Sequence, residues 1–519
     1  MEDTILNMHG NIIVKGDISG IQDFIFNVRS KRAANSIKGR SFFIKVLTEI
    51  IIQYLFDAFK VVESERPVRR ISTSGGNFFI ILPKLNDSTN KINVTQIFIS
   101  KSLRYSGLNV ALHHVSFKKD KYVLSVFTVA GLTALHHVSF KKDKYSETLV
   151  KLNSGLRKSK LWLYGHLDNA GFKDIFEPQN KGDFNKIDDN EKWIQITNAI
   201  RNNQYFSIQH GGFTLLTLKN NMIEMMGYSC IFHSDENTTP QFKLADYLES
   251  IFPEQYGEII DFESLARQGK GVQKLGVLKM DVDNLGTTLE KIKDVEEHRK
   301  FDQELFLFFN IKLRNLIDAD KRFQNKIYTV TAGGDDSFFV GHWKTILDLA
   351  RSIHFEFMKN EYFKSRELSI SAGYIIVNPK FPVVRFSQLA DNALHKAKYK
   401  YQKGNICLFD EVLSWKLLDE VYAFMKNLRK GVEKKSKALL AKSRQSAIRG
   451  IQEDIITLKD TWEITYFLRD CTDKDIVKAI RDKVTGYLKE SAKCTTIMYK
   501  RAYRLVLPIA ARLIELEKR

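Results

Sequence analysis

The chain has 519 residues, 44% of them hydrophobic and 27% charged, which is the composition of a globular protein and excludes a fibrous or fully disordered one. Its length exceeds what one core sustains and points to roughly three or four domains. Lysine and arginine outnumber aspartate and glutamate by 80 to 61, a formal charge of +19, which favours a polyanionic partner such as RNA or DNA.

Cys230, Cys407, Cys471 and Cys494 show no CxxC spacing, which argues against a zinc ribbon or a disulfide framework. Neither a leader-like N-terminus nor a bilayer-length apolar run is evident, so a cytoplasmic protein without a membrane partner is expected. Only 8 prolines leave little room for disordered linkers.

The first block, 1–150, opens with a strand from Asn11 to Asp17. Ile18 to Phe26 then turns into a helix, and a second helix runs from Gly39 to about Phe56. Arg69 to Leu82 reads as strand, Gly75-Gly76 turn and apolar strand. Ala111–Tyr122 recurs identically at Ala134–Tyr145. A solenoid needs at least about three copies, and the doubled His113-His114 pairs lack carboxylate or cysteine ligands at a helical spacing, so they are not read as a metal site. In the second block, 151–268, a helix is expected near Lys192–Thr197 and a turn with a strand at Gln209–Leu216, with no catalytic constellation.

The third block, 269–410, carries the chemistry. Leu275 to Val282 is an apolar strand with Asp281 and Asp283 on one face. Asp283 to Thr288 leaves the strand and opens an amphipathic helix continuing through Leu289 and Ile292, whose exposed N–H groups suit a triphosphate. Gly333-Gly334-Asp335-Asp336, framed by Ile327–Val330 and Ser337–Val340, reads as a hairpin with carboxylates at its tip. An ordinary polar turn uses the same residues; the carboxylated strand upstream is what argues for a site of three or four acids. A strand at Leu368–Ile376 and a lysine-rich helix at Phe386–Tyr401 follow. The last block, 411–519, has helical periodicity nearly throughout. Its basic stretch Lys426–Arg449 fits RNA phosphate contacts and a solvated face equally well.

Carboxylate oxygens suit hard divalent cations, and two such ions together activate one phosphate-ester oxygen while stabilising the leaving one. Phosphoryl or nucleotidyl transfer is the chemistry that follows. Blocks one and three share one plan: strand, helices, strand, Gly-Gly turn, strand. In the first copy Asn77 and Phe78 stand where the second has Asp335 and Asp336, so a binding half beside a catalytic half is expected.

These residues resemble the large palm-domain subunit of type III CRISPR effector complexes, the Cas-ten family, leaning towards the type III-A branch. The resemblance rests on Gly16–Ile25 with Gly39-Arg40-Ser41-Phe42, Ser74-Gly75-Gly76, Leu265–Gly286, the tetrad, and Ala390–Lys398 with Gly404-Asn405, where a diguanylate-cyclase-like (GGDEF-like) palm is visible. It implies an α+β protein: two ferredoxin-like palm domains of the nucleotidyl-cyclase type, an intervening α/β domain and a C-terminal helical domain.

It also implies that target RNA, paired to a CRISPR RNA held by backbone, small and guide-capping subunits, switches on cyclic oligoadenylate synthesis from ATP. Asp281, the Val282 carbonyl, Asp335 and Asp336 would bind two Mg²⁺ or Mn²⁺ ions, with Asp281, Asp335 and Asp336 catalytic. The ATP triphosphate would lie over Asn284, Leu285 and Gly286 by the Gly333-Gly334 turn, neutralised by Lys398. The acceptor nucleotide would contact Ser74, Gly75 and Gly76. A ribose hydroxyl attacks the α-phosphorus and expels pyrophosphate.

Two departures from the family pattern are expected to matter. The chain begins almost at the palm and has no His-Asp dipeptide, so DNA cleavage by an HD nuclease domain is not expected. The region between the palms holds only Cys230, so neither is a structural zinc. Two other readings stay open: AMP transfer to another acceptor such as S-adenosylmethionine, and a non-catalytic RNA-binding scaffold.

Overall fold

The computed structural model describes residues 10–28, 32–74, 76–103, 106–117, 122–125, 145–161, 190–212, 214, 216–219, 222–235, 241–250, 252–255, 258–400, 403–435, 474–493 and 497–518. Gly75, most of the second dodecapeptide copy and the basic stretch from residue 436 onward lie outside them.

Three sheets of five or six strands carry the fold. The first contains β1 (Asn11–Ser19), β2 (Arg70–Ser74), β3 (Asn77–Pro83), β4 (Asn109–Phe117) and β5 (Tyr122–Ser125), in the order β2-β3-β1-β4-β5. The second contains β6 (Tyr205–His210), β7 (Leu216–Lys219), β8 (Met222–Met225), β9 (Tyr228–His233) and β10 (Gln241–Lys243), in the order β10-β6-β9-β8-β7. A small ribbon, β11 (Glu254–Gln255) with β12 (Glu258–Ile259), follows. The third contains β13 (Leu275–Asp283), β14 (Ile327–Gly333), β15 (Asp336–His342), β16 (Ser369–Val377), β17 (Asn405–Leu408) and β18 (Glu411–Ser414), in the order β14-β15-β13-β16-β17-β18.

The first and third sheets therefore repeat one strand order, with the earliest strand in the middle, as the duplicated sequence plan requires. The expected strands of the first and third blocks and the helices at Ala33–Ala58, Asn190–Asn202 and Val383–Tyr399 are present. Across Gln209–Leu216, where a turn and a strand are expected, β6 ends at His210 and β7 begins only at Leu216, with residues 213 and 215 outside the described ones. Two further details differ. The helix after Asp283 covers only Leu285–Leu289. Ile292 sits in a turn closed by its N–H on the Leu289 carbonyl at 3.2 Å, because Asp294 caps a fresh helix, Val295–Phe306, by accepting from Glu297 N. And β18 pairs with β17, so the third sheet runs past residue 410 before the helices begin at Trp415.

By packing, the chain divides into two compact units. One comprises Met1–Asp261, Asn284–Phe339 and Pro382–Ser387; the other Phe262–Asp283, Val340–Phe381 and Gln388–Arg519.

In the first unit the helix Ala33–Ala58 is buried along nearly its whole length, including polar residues such as Lys38, Arg40 and Glu49. Helix Asn190–Asn202 crosses it at Gly39, where a Cβ would lie 2.3 Å from the Trp193 carbonyl oxygen. Thr197 Oγ1 donates to the Asn35 carbonyl at 2.5 Å, and Phe24, Phe43 and Trp193 form an aromatic cluster with centroids 5.5 to 5.6 Å apart. On β1, Gly16 faces Phe78 directly, and a Cβ there would be 2.1 Å from the fully buried Phe78 ring. His113 and His114 are buried on β4, and burial lowers them to about 3 and about 4, so they are neutral core residues.

In the second unit Gly276 and Gly373 let helices lie directly on β13 and β16. A Cβ at Gly373 would be 2.3 Å from Leu394 N, and one at Gly276 2.9 Å from the Trp343 Cα. The three C-terminal helices Trp415–Lys435, Lys474–Lys493 and Ile497–Lys518 pack together, tied by the Arg429 guanidinium on both oxygens of Glu517 at 2.7 and 2.6 Å. No helix among the described residues is long and apolar enough to cross a membrane.

Candidate active site

The tetrad forms the turn its residues call for. Gly333 ends β14 at φ 149° and Gly334 takes φ 69°, both left-handed values that disfavour a side chain. Gly334 and Asp335 make the turn and Asp336 opens β15. The glycines are buried while both aspartates are partly exposed.

β14 is an edge strand of its sheet, and the first unit caps it with side chains. Lys38 Nζ donates to the Thr329 carbonyl at 2.5 Å and to the Glu249 carbonyl at 2.6 Å, and Ser41 Oγ donates to the Val330 carbonyl at 2.6 Å. Tyr328 Oη reaches the Ala34 carbonyl. Lys38 is buried, and that desolvation brings its amine down to about 7, partly offset by Glu249.

Asp281 and Lys398, assigned to metal and triphosphate, meet in the second unit as an ion pair, with 24% and 16% of their side chains exposed. Burial, with the Lys403 and Lys279 ammonium groups adding to it, lowers the Lys398 amine to about 8. Asp283, the neighbouring acid on the same strand, does something else. It is fully buried and accepts from Ser369 Oγ at 2.8 Å, from Ser371 Oγ and from Gly404 N at 2.9 Å. The expectation of a fourth converging carboxylate is corrected here, because these donors already use its oxygens in holding the sheet to the Gly404 turn.

Asn284 adopts φ 63°, and its carbonyl collects Thr287 Oγ1, Thr288 Oγ1 and Thr288 N at 2.8, 3.0 and 3.0 Å. A Cβ at Gly286 would meet nothing within 4 Å, so space above this turn is open. In the first sheet, Gly76 takes φ 83° with its carbonyl on Ile18 N at 3.0 Å, and a Cβ there would lie 2.7 Å from Ile21 Cδ1.

Among the described residues, no three His, Cys, Asp or Glu side chains gather closely enough to hold a metal ion. The available donors nonetheless suit a hard cation. Asp281 already carries one positive charge in the form of the Lys398 ammonium, and Asp335 and Asp336 offer accessible carboxylates. Sequence reasoning missed Lys45, Glu249 and Asp302 behind the two glycine turns; they belong to no motif, and only the folded chain brings them near.

A strand order with the first strand central, a glycine hairpin bearing acids, and a helix lysine on the neighbouring strand's acid define a palm-type α+β protein. Residues 274–407 match the family model for the second palm domain of Cas10/Cmr2, and residues 11–179 that for domain B of the Csm1 subunit. The chain belongs to the Cas10/Csm1 family of large type III effector subunits.

Among its relatives is the CRISPR system single-strand-specific deoxyribonuclease Cas10/Csm1 (subtype III-A) of Methanocaldococcus jannaschii, 27% identical over 85% of this chain and 64% of that protein. The protein of the same description from Mycobacterium tuberculosis is 23% identical over 90% of this chain and 62% of its own length. The chain thus spans less than two thirds of these relatives. Solved structures of the same fold include a Csm1-Csm4 cassette in complex with cA4, with TM-score 0.70, 16% identity, and coverage of 98% of this chain and 71% of that one. Another is the cassette in complex with one ATP, with TM-score 0.69, 16% identity, and coverage of 98% and 70%.

Proposed function

We propose that this chain is the nucleotidyltransferase subunit of a type III CRISPR effector complex, switched on by target RNA and making cyclic oligoadenylate from ATP. The observation that carries the reading is the Gly333-Gly334 turn, whose left-handed backbone presents Asp335 and Asp336 within the segment matching the family's second palm. Cassettes of like fold bound to ATP and cA4 support it.

On this reading 1–150 is a degenerate nucleotide-binding palm, 151–268 an intervening domain, 269–410 with β18 the catalytic palm, and the remainder to 519 a helical domain. CRISPR RNA, target RNA and the other effector subunits are its partners.

Asp281, the Val282 carbonyl, Asp335 and Asp336 would hold two Mg²⁺ or Mn²⁺ ions. When bound, such ions lower the pKa of an attacking ribose hydroxyl and offset charge on the phosphates. The residues of the chain supply positioning. The open space over Gly286 admits a triphosphate without side-chain collision. Lys398, held by Asp281 here, is the cation within reach of that strand end and takes up phosphate charge once Asp281 has another partner. Gly76 lets the acceptor nucleotide approach the first sheet. The test is to incubate the assembled complex with labelled ATP, Mg²⁺ and matching target RNA and resolve products by mass. Cyclic adenylates and pyrophosphate are expected; absence of pyrophosphate sinks the reading.

A further inference from the structure

Within the second unit two ion pairs join β13 to the helix Val383–Tyr399, and their charges run in opposite order on the two elements. Along β13, Lys279 and Asp281 are alternate residues and share one face of the strand. Along the helix, Asp391 and Lys398 are two turns apart and share one face as well. Lys279 Nζ pairs with Asp391 Oδ1, and Lys398 Nζ pairs with Asp281 Oδ1. A helix shifted so that Lys398 met Lys279 would set like charges together, so the crossed order admits one register.

The two pairs differ in place. Asp391 lies mid-helix, in the turn whose Ala390 carbonyl oxygen and Leu394 N stand 2.4 and 2.3 Å from where a Gly373 Cβ would be, and Gly373 is the β16 residue paired with Lys279. The Lys279 side chain is only 11% exposed, so its ammonium takes its counter-charge from Asp391 rather than from water. Lys398 is the last residue but one of the helix, and a second acid, Asp283 Oδ1, lies 4.0 Å from its Nζ.

We propose that Asp391 is a positioning residue that acts through Lys398: its pair with Lys279 keeps the helix seated on the sheet while Lys398 exchanges Asp281 for phosphate. Why Lys398 leaves Asp281 rests on the nucleotidyl-transfer reading; the pinning of the helix does not. A nearly buried ammonium deprived of its counter-charge is costly, so loss of Asp391 unseats the helix turn that lies on Gly373. Loss of Asp281 frees only a side chain at the end of the helix. One pair is thus permanent and the other exchangeable.

The test is amide hydrogen exchange on the full chain, read by mass in peptides within 388–399, for Asp391→Asn, Asp391→Glu, Lys279→Met and Asp281→Asn. Asp391→Asn is expected to speed exchange by about tenfold or more, the loss typical of a hydrogen bond to a charged group. Asp391→Glu should restore the wild-type rate, and Lys279→Met, which strands no ammonium, should again speed exchange. Asp281→Asn should change it by less than about fivefold, as for a partly exposed pair. In the assembled complex Asp391→Asn should raise KM for ATP several-fold and keep kcat near the wild-type value, because a displaced Lys398 loses ground-state contact with the triphosphate. Equal acceleration by Asp281→Asn and Asp391→Asn, no rescue by glutamate, or an unmoved KM overturns the proposal. Should Asp391→Asn not fold, unchanged exchange in Lys279→Met overturns it as well. Faster exchange in Asp391→Asn, in a chain whose complex makes no product from ATP, would leave the pin standing and remove the transferase reading; unchanged exchange in a productive chain does the reverse.

Discussion

Ser371 Oγ donates to both carboxylate oxygens of Asp283, at 2.9 and 2.8 Å, from the strand paired with β13. Two residues earlier on β13, Asp281 keeps a partly exposed carboxylate paired with the Lys398 ammonium. Neighbouring acids on one face of one strand thus differ, one buried among hydroxyl donors and the other partly exposed on a lysine.

Asp283→Ala is therefore expected to cost about 3 kcal/mol of stability, because it takes the acceptor from the buried Ser371 hydroxyl and from Ser369 Oγ. Asp281→Ala should cost under about 1 kcal/mol, as for a partly exposed ion pair, yet eliminate product formation. Urea unfolding and a product assay on both variants check the division; equal instability would merge the two roles.

Asp335→Ala combined with Asp336→Ala should abolish synthesis while target RNA binding by the complex survives. The aspartates lie at a partly exposed turn. Joint loss of synthesis and binding would make the pair structural.

Gly373→Ala would drive a methyl group into Leu394 N and the Ala390 carbonyl oxygen, at 2.3 and 2.4 Å. Neither backbone atom can yield without moving the helix that carries Lys398, so destabilisation of about 1–3 kcal/mol is expected. Product formation should fall further than stability alone explains. A variant with wild-type unfolding midpoint and wild-type rate contradicts the packing.

His113 and His114, lowered by burial to about 3 and about 4 from an ordinary 6.5, predict acid sensitivity. Between pH 6.5 and 4 the unfolded chain binds protons at these sites and the folded chain does not, so stability falls as pH falls through that window. Each site contributes up to about 1.4 kcal/mol per pH unit. His114→Gln should flatten the profile of unfolding midpoint against pH by about one proton; an unchanged slope refutes the assignment.

The parts legible in the sequence were local ones. Gly333-Gly334 and Gly75-Gly76 announce turns because left-handed backbone needs glycine, and the apolar runs around them alternate as strands do. The repeated plan of Asn11–Leu82 and Leu275–Val340 carried through to one strand order in two sheets. The brevity of the helix at Leu285–Leu289 was hidden because Leu289 and Ile292 keep helical spacing across the Asp294 cap. The scaffold role of Asp283 depends on serines 86 and 88 residues away, and the bond from Ala332 to Glu249 spans 83. Such pairings follow from tertiary closure and leave no local pattern. β18 is four residues long and borrows its order from β17, so it read as the start of the helical block.

Phe78 seated over Gly16 locks the two positions to each other. An acid at position 78 would sink a charge into an apolar socket, and enlarging residue 16 alone would collide with the ring. Each step is a loss without the other, so the pair behaves as a latch that only two simultaneous changes can release.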